Sequence, residues 1–278
     1  MALKTIIINQ EKCKQDDLCS KICNLIQRNK PDGYPFLREG GEDLCMSCGQ
    51  CVAICPSGAL EHSNVVLDNC PSINKELIIN EQQAVQFLRS RRSRRAYKSK
   101  PIAQNLIHKL IRIASYAPSG GNTQKVEWTV FTEKPQLEKF TGLTMDWLDY
   151  EIRENPSGNT ASYGFNHDIL KNWKFESVDE VLWNAPVLII ASAQKDTDCG
   201  MIDLTLALSY LDLVAPTLGL GTCWVGTFTE AIAGWEPLKK EINLPEDHFY
   251  YYSMVLGYPK YKFQRLIERK KPVISWRT

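Results

Sequence analysis

Seven of the ten cysteines in this chain, Cys13, Cys19, Cys23, Cys45, Cys48, Cys51 and Cys55, fall within 43 residues. No other feature constrains the fold of that segment as strongly. Residues 1–78 hold eight of the ten cysteines and few long apolar runs, so they cannot assemble much hydrophobic core and need another source of folding energy. The opening MALKTIIINQEKC lacks a full signal-peptide h-region and cleavage site. No uninterrupted apolar run approaches the roughly 20 residues of a membrane helix. We therefore expect a cytoplasmic protein with no membrane partner. In a reducing cytoplasm, cysteines at this density are expected to bind metal instead of forming disulfides.

The second group reads Cys45-Met-Ser-Cys48-Gly-Gln-Cys51-Val-Ala-Ile-Cys55-Pro56, which is C-x2-C-x2-C-x3-C-P. Short spacers let three thiolates converge on one cube of iron and sulfide, Gly49 lets the backbone come close, and the more distant fourth cysteine reaches a different cluster. The other metal reading, zinc, usually needs two separated ligand pairs. The run resembles that of bacterial ferredoxins. Cys13-Lys-Gln-Asp16-Asp-Leu-Cys19-Ser-Lys-Ile-Cys23 repeats the spacing with Asp16 at the second ligand position, so residues 1–78 resemble a dicluster ferredoxin with one cysteine exchanged for aspartate. The resemblance implies crosswise ligation: Cys13, Asp16, Cys19 and Cys55 on one cluster, Cys45, Cys48, Cys51 and Cys23 on the other. A carboxylate is a harder ligand than a thiolate and holds iron more loosely. The Asp16 cluster is thus expected either as 4Fe-4S or as 3Fe-4S with the corner iron missing. The alternative, a solvated acid without a metal role, stays open because Asp17 shows that acids occur here anyway. Asn24 stands where a proline would follow the first run. Cys199 and Cys223 flank or enter apolar segments and are expected as buried structural thiols; Cys70 lies beside Pro71 in a linker.

Composition shifts near residue 78. Residues 1–78 carry 8 Lys and Arg against 10 Asp and Glu, and the remainder 25 against 22. The formal net charge of +1 supplies no overall attraction to nucleic acid, so no nucleic-acid partner is expected. From residue 80 the periodicity is that of ordinary globular structure. Asn80 caps a helix carrying Ala84, Val85 and Leu88, and Ser99 with Pro101 opens another carrying Ile102, Leu106, Ile107, Leu110 and Ala114. Strands are expected at Val126–Thr132, Val187–Ala193, Thr222–Phe228 and Phe249–Leu256, with an apolar helix over Met201–Leu218 that Pro216 bends or ends. Thr141–Asp179 shows no clear period and reads as helical fragments and loops.

Arg89, Arg91, Arg92, Arg94 and Arg95 place five guanidinium groups in seven residues. Alone they fit a solvated face or a nucleic-acid patch equally well. Arg-Arg-Ser-Arg-Arg at 91–95 resembles the opening motif of the nitroreductase family, homodimeric flavoproteins that hold FMN at the dimer interface. Arg91, Ser93 and Arg95, alternating on an extended backbone, can point one way toward a phosphate and the flavin's polar edge. Ala117-Pro118-Ser119-Gly120-Gly121-Asn122 resembles the family's next motif, which implies that Pro118, Ser119, Gly120 and Asn122 approach the flavin of the partner subunit. A plain surface turn would carry the same residues. Gly219–Gly226 resembles the strand whose amides, at Val225 and Gly226, face the flavin ring. Gly257-Tyr258-Pro259, followed by Arg265 and Arg269, resembles the segment that supplies cations near the FMN phosphate, although a solvated tail would read similarly.

The sequence thus resembles a ferredoxin–nitroreductase fusion. The expected fold is α+β: an N-terminal ferredoxin-like iron–sulfur domain (1–78), then a nitroreductase-like domain (79–278) with a mixed sheet flanked by helices. The expected activity passes electrons from two iron–sulfur clusters to FMN and on to a small (nitro)aromatic or similar acceptor, in a homodimer supplied by a donor protein or NAD(P)H. Electron transfer to a protein partner, and a redox sensor that binds DNA, are the other classes this sequence allows. The departure at Asp16 is testable. Asp16→Cys should supply a fourth thiolate and hold that cluster as 4Fe-4S through mild oxidation, while the wild type interconverts with 3Fe-4S. Matching electron paramagnetic resonance spectra and iron contents for the two proteins would show that Asp16 is neither ligand nor vacant corner.

Overall fold

Short elements dominate the first 78 residues. In order they are β1 (Ile6–Ile8), α1 (Leu18–Ile22), β2 (Ile26–Arg28), β3 (Pro35–Leu37), α2 (Gly41–Leu44), α3 (Gln50–Ile54) and β4 (Leu60–His62). This is a computed structural model describing residues 5–29, 31–154 and 161–277, and it divides into two units, Met1–Ile78 with Gly121–Thr123, and Ile79–Gly120 with Gln124–Thr278. In the first unit β1 pairs antiparallel with β4 and β2 with β3. The buried core there is Ile6, Cys19, Ile26, Cys51, Val52 and Leu60. Two cysteines are therefore core residues, as expected of a segment with few large apolar side chains.

The second unit is ordinary in size. Its elements are α4 (Glu81–Ser90), α5 (Gln104–Ala114), β5 (Glu127–Phe131), α6 (Lys134–Glu154), α7 (Ala161–Glu176), β6 (Val187–Gln194), α8 (Gly200–Val214), β7 (Gly221–Trp224), α9 (Gly226–Gly234), α10 (Glu236–Ile242) and β8 (His248–Gly257). The sheet order is β5-β6-β8-β7. Seven of the eight positions of β6 are buried, because helices cover both faces. Leu188 and Ile190 face a core with Phe140, Leu148, Phe228 and Val255. Val187, Ile189 and Ala191 face the other, with Leu110, Leu204, Leu208 and Met254. Alternate residues of one strand thus feed two separate cores.

Several expectations are corrected. The four strands pair antiparallel throughout, so among the described residues the sheet is not mixed: β8 lies between β6 and β7 and runs opposite to both. Thr141–Asp179 is not fragmentary, since α6 and α7 take up most of it, residues 155–160 lying outside the described residues. The period was hidden because α6 buries Thr141 and Thr144 among its apolar residues, and Thr144 Oγ1 donates to the Phe140 carbonyl at 2.8 Å. The second helix begins at Gln104, not Ser99: Ala103 is its N-cap and residues 99–103 are irregular, with Ile102 still reaching the core. The strand expected over Thr222–Phe228 stops at Trp224, and Gly226–Phe228 open α9. Cys223 is buried as expected, whereas Cys199 is half-buried.

Gly200–Leu218 is long and apolar enough to cross a membrane by length and composition, with mean hydropathy 1.4. Its Leu204, Leu208 and Leu211 are instead fully buried in the core beside β6 and β8. At the N-terminus of α4, Asn80 Oδ1 accepts from Gln83 N and Gln83 Oε1 accepts from Asn80 N, both at 2.9 Å. No residue of α4 is buried.

Candidate cluster and flavin sites

The two cysteine runs fold as copies of one another. In the first, Gln15 and Asp17 take φ of 55° and 62°; in the second, Ser47 and Gly49, at the same offsets, take 51° and 71°. Left-handed turns at these positions swing successive ligands to one side of the chain. α1 and α3 then start five residues into their runs, and Cys23 and Cys55 occupy their extended C-caps. Asp16 therefore stands where Cys48 stands in the other copy. Asp17 manages without glycine because its carboxylate receives a two-pronged contact from Arg28, Nε to Oδ1 at 2.5 Å and Nη2 to Oδ2 at 3.2 Å.

The last cysteine of the second run lies with the ligand positions of the first. One cavity is lined by Cys13, Asp16, Cys19 and Cys55, with Ile8 and Leu60 among the apolar residues around them. Asp16 Oδ1 accepts from Leu18 N at 3.1 Å. Burial raises the Cys19 thiol above its ordinary pKa, and the nearby Cys13 and Cys55 raise it further. Cys51 is pushed up to about 11, first by burial, with Cys23 and Cys45 adding to it. Cys55 moves the other way: burial alone would raise it, but hydrogen bonds from Ser57 and the Ala59, Ser57 and Leu60 amides outweigh that. Cys48 is exposed. Cys19 and Cys51, the two buried thiols of the runs, thus resist deprotonation, and bound positive charge would reverse that. Among the described residues, no three Cys, His, Asp or Glu side chains close on one point as a single ion requires. Cys13, Asp16, Cys19 and Cys55 border a cavity instead.

In the second unit the arginine segment is stitched to both neighbouring strand ends. Arg94 N donates to Thr222 O at 2.7 Å, Lys98 N to Tyr258 O at 2.9 Å, and Lys260 N to Ala96 O at 2.9 Å. Two glycines of the motifs serve this packing: a Cβ on Gly221 would lie 2.5 Å from Arg94 Cγ, and one on Gly257 2.5 Å from Tyr97 Cδ1. Beside the segment opens a cleft of about 450 Å³ lined by Arg91, Ser93, Ser209, Asp212, Leu213 and Trp224. Asp212 organises its floor. It is buried on α8 and accepts from Thr222 Oγ1, from Trp224 Nε1 at 3.0 Å and from Arg91 Nη1 at 3.3 Å. Sequence reasoning missed Asp212, though an acid inside the apolar run Met201–Leu218 was the available signal.

The three alternating residues do not all face one way. Arg91 and Ser93 line the cleft, whereas the Arg95 guanidinium lies 5.6 Å from the centroid of the Trp183 ring. Burial raises the Cys223 thiol above its ordinary pKa, and the nearby Arg95 and Ser93 only partly offset that. Trp183 and Asn184 have φ of 60° and 50° and are held by Asp179, whose carboxylate accepts from the amides of Val181, Leu182 and Asn184 at 2.8–2.9 Å. Arg94 Nη1 donates to Tyr261 O and its guanidinium stacks 4.1 Å from the Phe263 centroid.

The remaining expected residues lie outside the cleft lining. Ser119 Oγ accepts from Gln124 N at 3.0 Å, and Gly120 N donates to buried Asp203 Oδ1 at 2.9 Å. A Cβ on Gly120 would come within 2.9 Å of Cys199 Sγ. Pro118 precedes this turn, in which Asn122 has φ 54°. Val225 N donates to Ser253 O and Gly226 begins α9. Arg265 and Arg269 sit in the exposed C-terminal stretch.

An α+β fold with helices on both faces of its sheet, an arginine-bordered cleft and a separate cysteine-rich unit define a class of redox protein. The nitroreductase family profile matches residues 88–258, and that of the 4Fe-4S binding domain matches residues 41–61. The chain belongs to the nitroreductase family and is an FMN-dependent oxidoreductase with a 4Fe-4S ferredoxin-type segment. It is 25% identical over 185 residues to an FMN reductase [NAD(P)H] of Bacillus subtilis (strain 168), covering 64% of this chain and just under two thirds, 66%, of that protein. The fold is shared with a nitroreductase with bound FMN from Desulfitobacterium hafniense DCB-2, at 20% identity and TM-score 0.55, covering 71% of this chain and 100% of that one. A nitroreductase with bound FMN from Bacteroides fragilis NCTC 9343 aligns over the same shares at 21% identity and TM-score 0.53.

The Asp212 network makes a stability prediction. Asp212→Ala strands three donors and should lower the unfolding free energy by about 1–3 kcal/mol, read from chemical denaturation. Glu268→Ala, which removes only the exposed partner of Arg89, should change it by less than about 0.5 kcal/mol.

Proposed function

We propose that residues 1–78 form a dicluster ferredoxin-like domain and that residues 79–278 hold FMN, so that electrons enter through iron–sulfur clusters and leave from the flavin to a small aromatic acceptor. The observation that carries this reading is the duplicated backbone of the two cysteine runs together with their crosswise grouping. Cys13, Asp16, Cys19 and Cys55 would hold one cluster, as 4Fe-4S or 3Fe-4S, and Cys23, Cys45, Cys48 and Cys51 a 4Fe-4S cluster. Zinc is disfavoured by the continuous run of four cysteines, since a zinc site usually takes two separated ligand pairs.

In the second domain the residues proposed to hold FMN are Arg91, Ser93, Arg95, Pro118, Ser119, Gly120, Asn122, Val225, Gly226, Arg265 and Arg269. Arg91 and Ser93 border a cleft of suitable polarity, and a fixed guanidinium beside a hydroxyl suits a phosphate or a ring carbonyl. Asp212 keeps Arg91 oriented, and Trp224 gives the cleft an aromatic wall. When bound, FMN accepts electrons singly and delivers them in pairs, which suits an exchange between clusters and a two-electron acceptor. The covalent connection of the domains keeps the local donor concentration high. The similarity to an FMN reductase [NAD(P)H] supports NAD(P)H as a source of electrons, beside a donor protein. We propose a homodimer: α4 leaves Val85 and Leu88 exposed, and the C-terminal stretch exposes Val273, Ile274 and Trp276, apolar surface that a second copy would cover.

Full-length protein purified anaerobically should contain one FMN and two iron–sulfur clusters per chain by iron, sulfide and flavin assay. Arg91→Ala should weaken FMN retention roughly 10-fold to 150-fold, the worth of a charge-assisted hydrogen bond, and Arg89→Ala far less. Zinc without acid-labile sulfide would overturn the first half of the reading. Equal losses of FMN at Arg91 and Arg89 would overturn the second.

A further inference from the structure

One buried histidine lies against a proposed cluster ligand. His62 ends β4, opposite Ile6 of β1, and is 3% exposed. Its Nε2 is 3.4 Å from Cys45 Sγ, and its Nδ1 is 3.0 Å from the Asn64 backbone nitrogen. A backbone amide can only donate, so Nδ1 must be the accepting, unprotonated nitrogen, and the ring proton sits on Nε2. The network thus assigns one tautomer and aims an N–H at sulfur. The ring cannot turn away cheaply, because Asn64 Nδ2 also donates to Ser47 Oγ at 3.0 Å, tying the 62–64 turn to the Cys45 run.

We propose that His62 donates its Nε2–H to Cys45 Sγ and thereby raises the reduction potential of the cluster held by Cys23, Cys45, Cys48 and Cys51. The inference rests on the crosswise ligation proposed above. Reduction adds one electron and one unit of negative charge to the cluster, shared with its thiolate sulfurs; no bond forms or breaks and the proton stays on Nε2. A donor aimed at one of those sulfurs stabilises the reduced form more than the oxidised one, because the acceptor is richer in charge there. The first copy differs at this point. Cys13 is joined to the fold by its own amide, which donates to Asn9 O at 3.0 Å, and among the described residues no imidazole is recorded in hydrogen-bond contact with Cys13, Cys19 or Cys55. This contrast adds to the exchange of Cys48 for Asp16 in setting the two clusters at different potentials.

The test is a potentiometric titration of the full-length, anaerobically purified protein, followed by electron paramagnetic resonance. His62→Leu keeps the volume and removes the donor; His62→Gln places a side-chain N–H near the same point. His62→Leu should lower the midpoint of one cluster by a tenfold change in its one-electron equilibrium, about 59 mV, and leave the other cluster and the iron content unchanged. His62→Gln should remain close to wild type. An unchanged midpoint in His62→Leu, or the same shift in both variants, overturns the hydrogen bond and leaves the ligation standing. Wild type without iron and sulfide at the second run overturns the ligation and this role with it. If His62→Leu loses its iron, pulsed resonance on wild type with 15N-labelled histidine decides: nitrogen coupling to the reduced cluster supports the contact, and its absence overturns it.

Discussion

Everything proposed for the first unit depends on the antiparallel pairing of β1 with β4. Ile6 faces His62 and Ile8 faces Leu60, so the chain on either side of the two cysteine runs is brought back to one place. That closure sets Cys55 beside Cys13 and Cys19, and lets Cys23 approach Cys45 and Cys51. Without it each run would offer three ligands and a stray fourth. The strand pair is three residues long and the apolar core behind it small. Its stability and the stability of the thiol sets are thus mutually dependent, because a donor set that the unfolded chain lacks makes metal-binding free energy folding free energy.

The larger unit solves a different problem. β6 is covered on both faces, so its side chains leave no polar surface for chemistry, and the polar groups collect instead at the sheet's β7 edge. Asp212 is the hinge of that arrangement. It faces the edge from the most apolar helix of the unit and gathers a hydroxyl, an indole and a guanidinium onto one carboxylate. Arg91 is thereby fixed relative to β7 instead of sweeping through solvent, which distinguishes it from Arg89, whose partner Glu268 is largely exposed.

Different kinds of information were legible in the sequence to different degrees. Ligand spacing is local, so both cysteine runs, and Asp16 in the vacant position, could be read directly. The apolar run of β6 was equally plain, since a strand buried on both faces has no polar interruption. α6 was not, because buried threonines that satisfy themselves on their own helix look like surface residues. Strand direction was illegible for a deeper reason: the period of a strand says which face is buried and nothing about which way its neighbour runs. For the second site, the motif residues Arg91 and Ser93 marked the border of a cleft, but Asp212 was hidden in an apolar helix. Arg95 was expected on the same side and instead lies against Trp183, outside the cleft lining, on a backbone steered by its bonds to β7 and to the residues after β8.

The Asp179 turn has a consequence for Trp183. One carboxylate holds three amides and two residues at positive φ, and it does so within six residues. The conformational entropy of that loop is surrendered during folding, so Trp183 presents its ring to Arg95 without waiting for a ligand. The turn is thus fixed by its own backbone, and the position of the indole is set by residues 179–184 instead of by whatever lies against its ring.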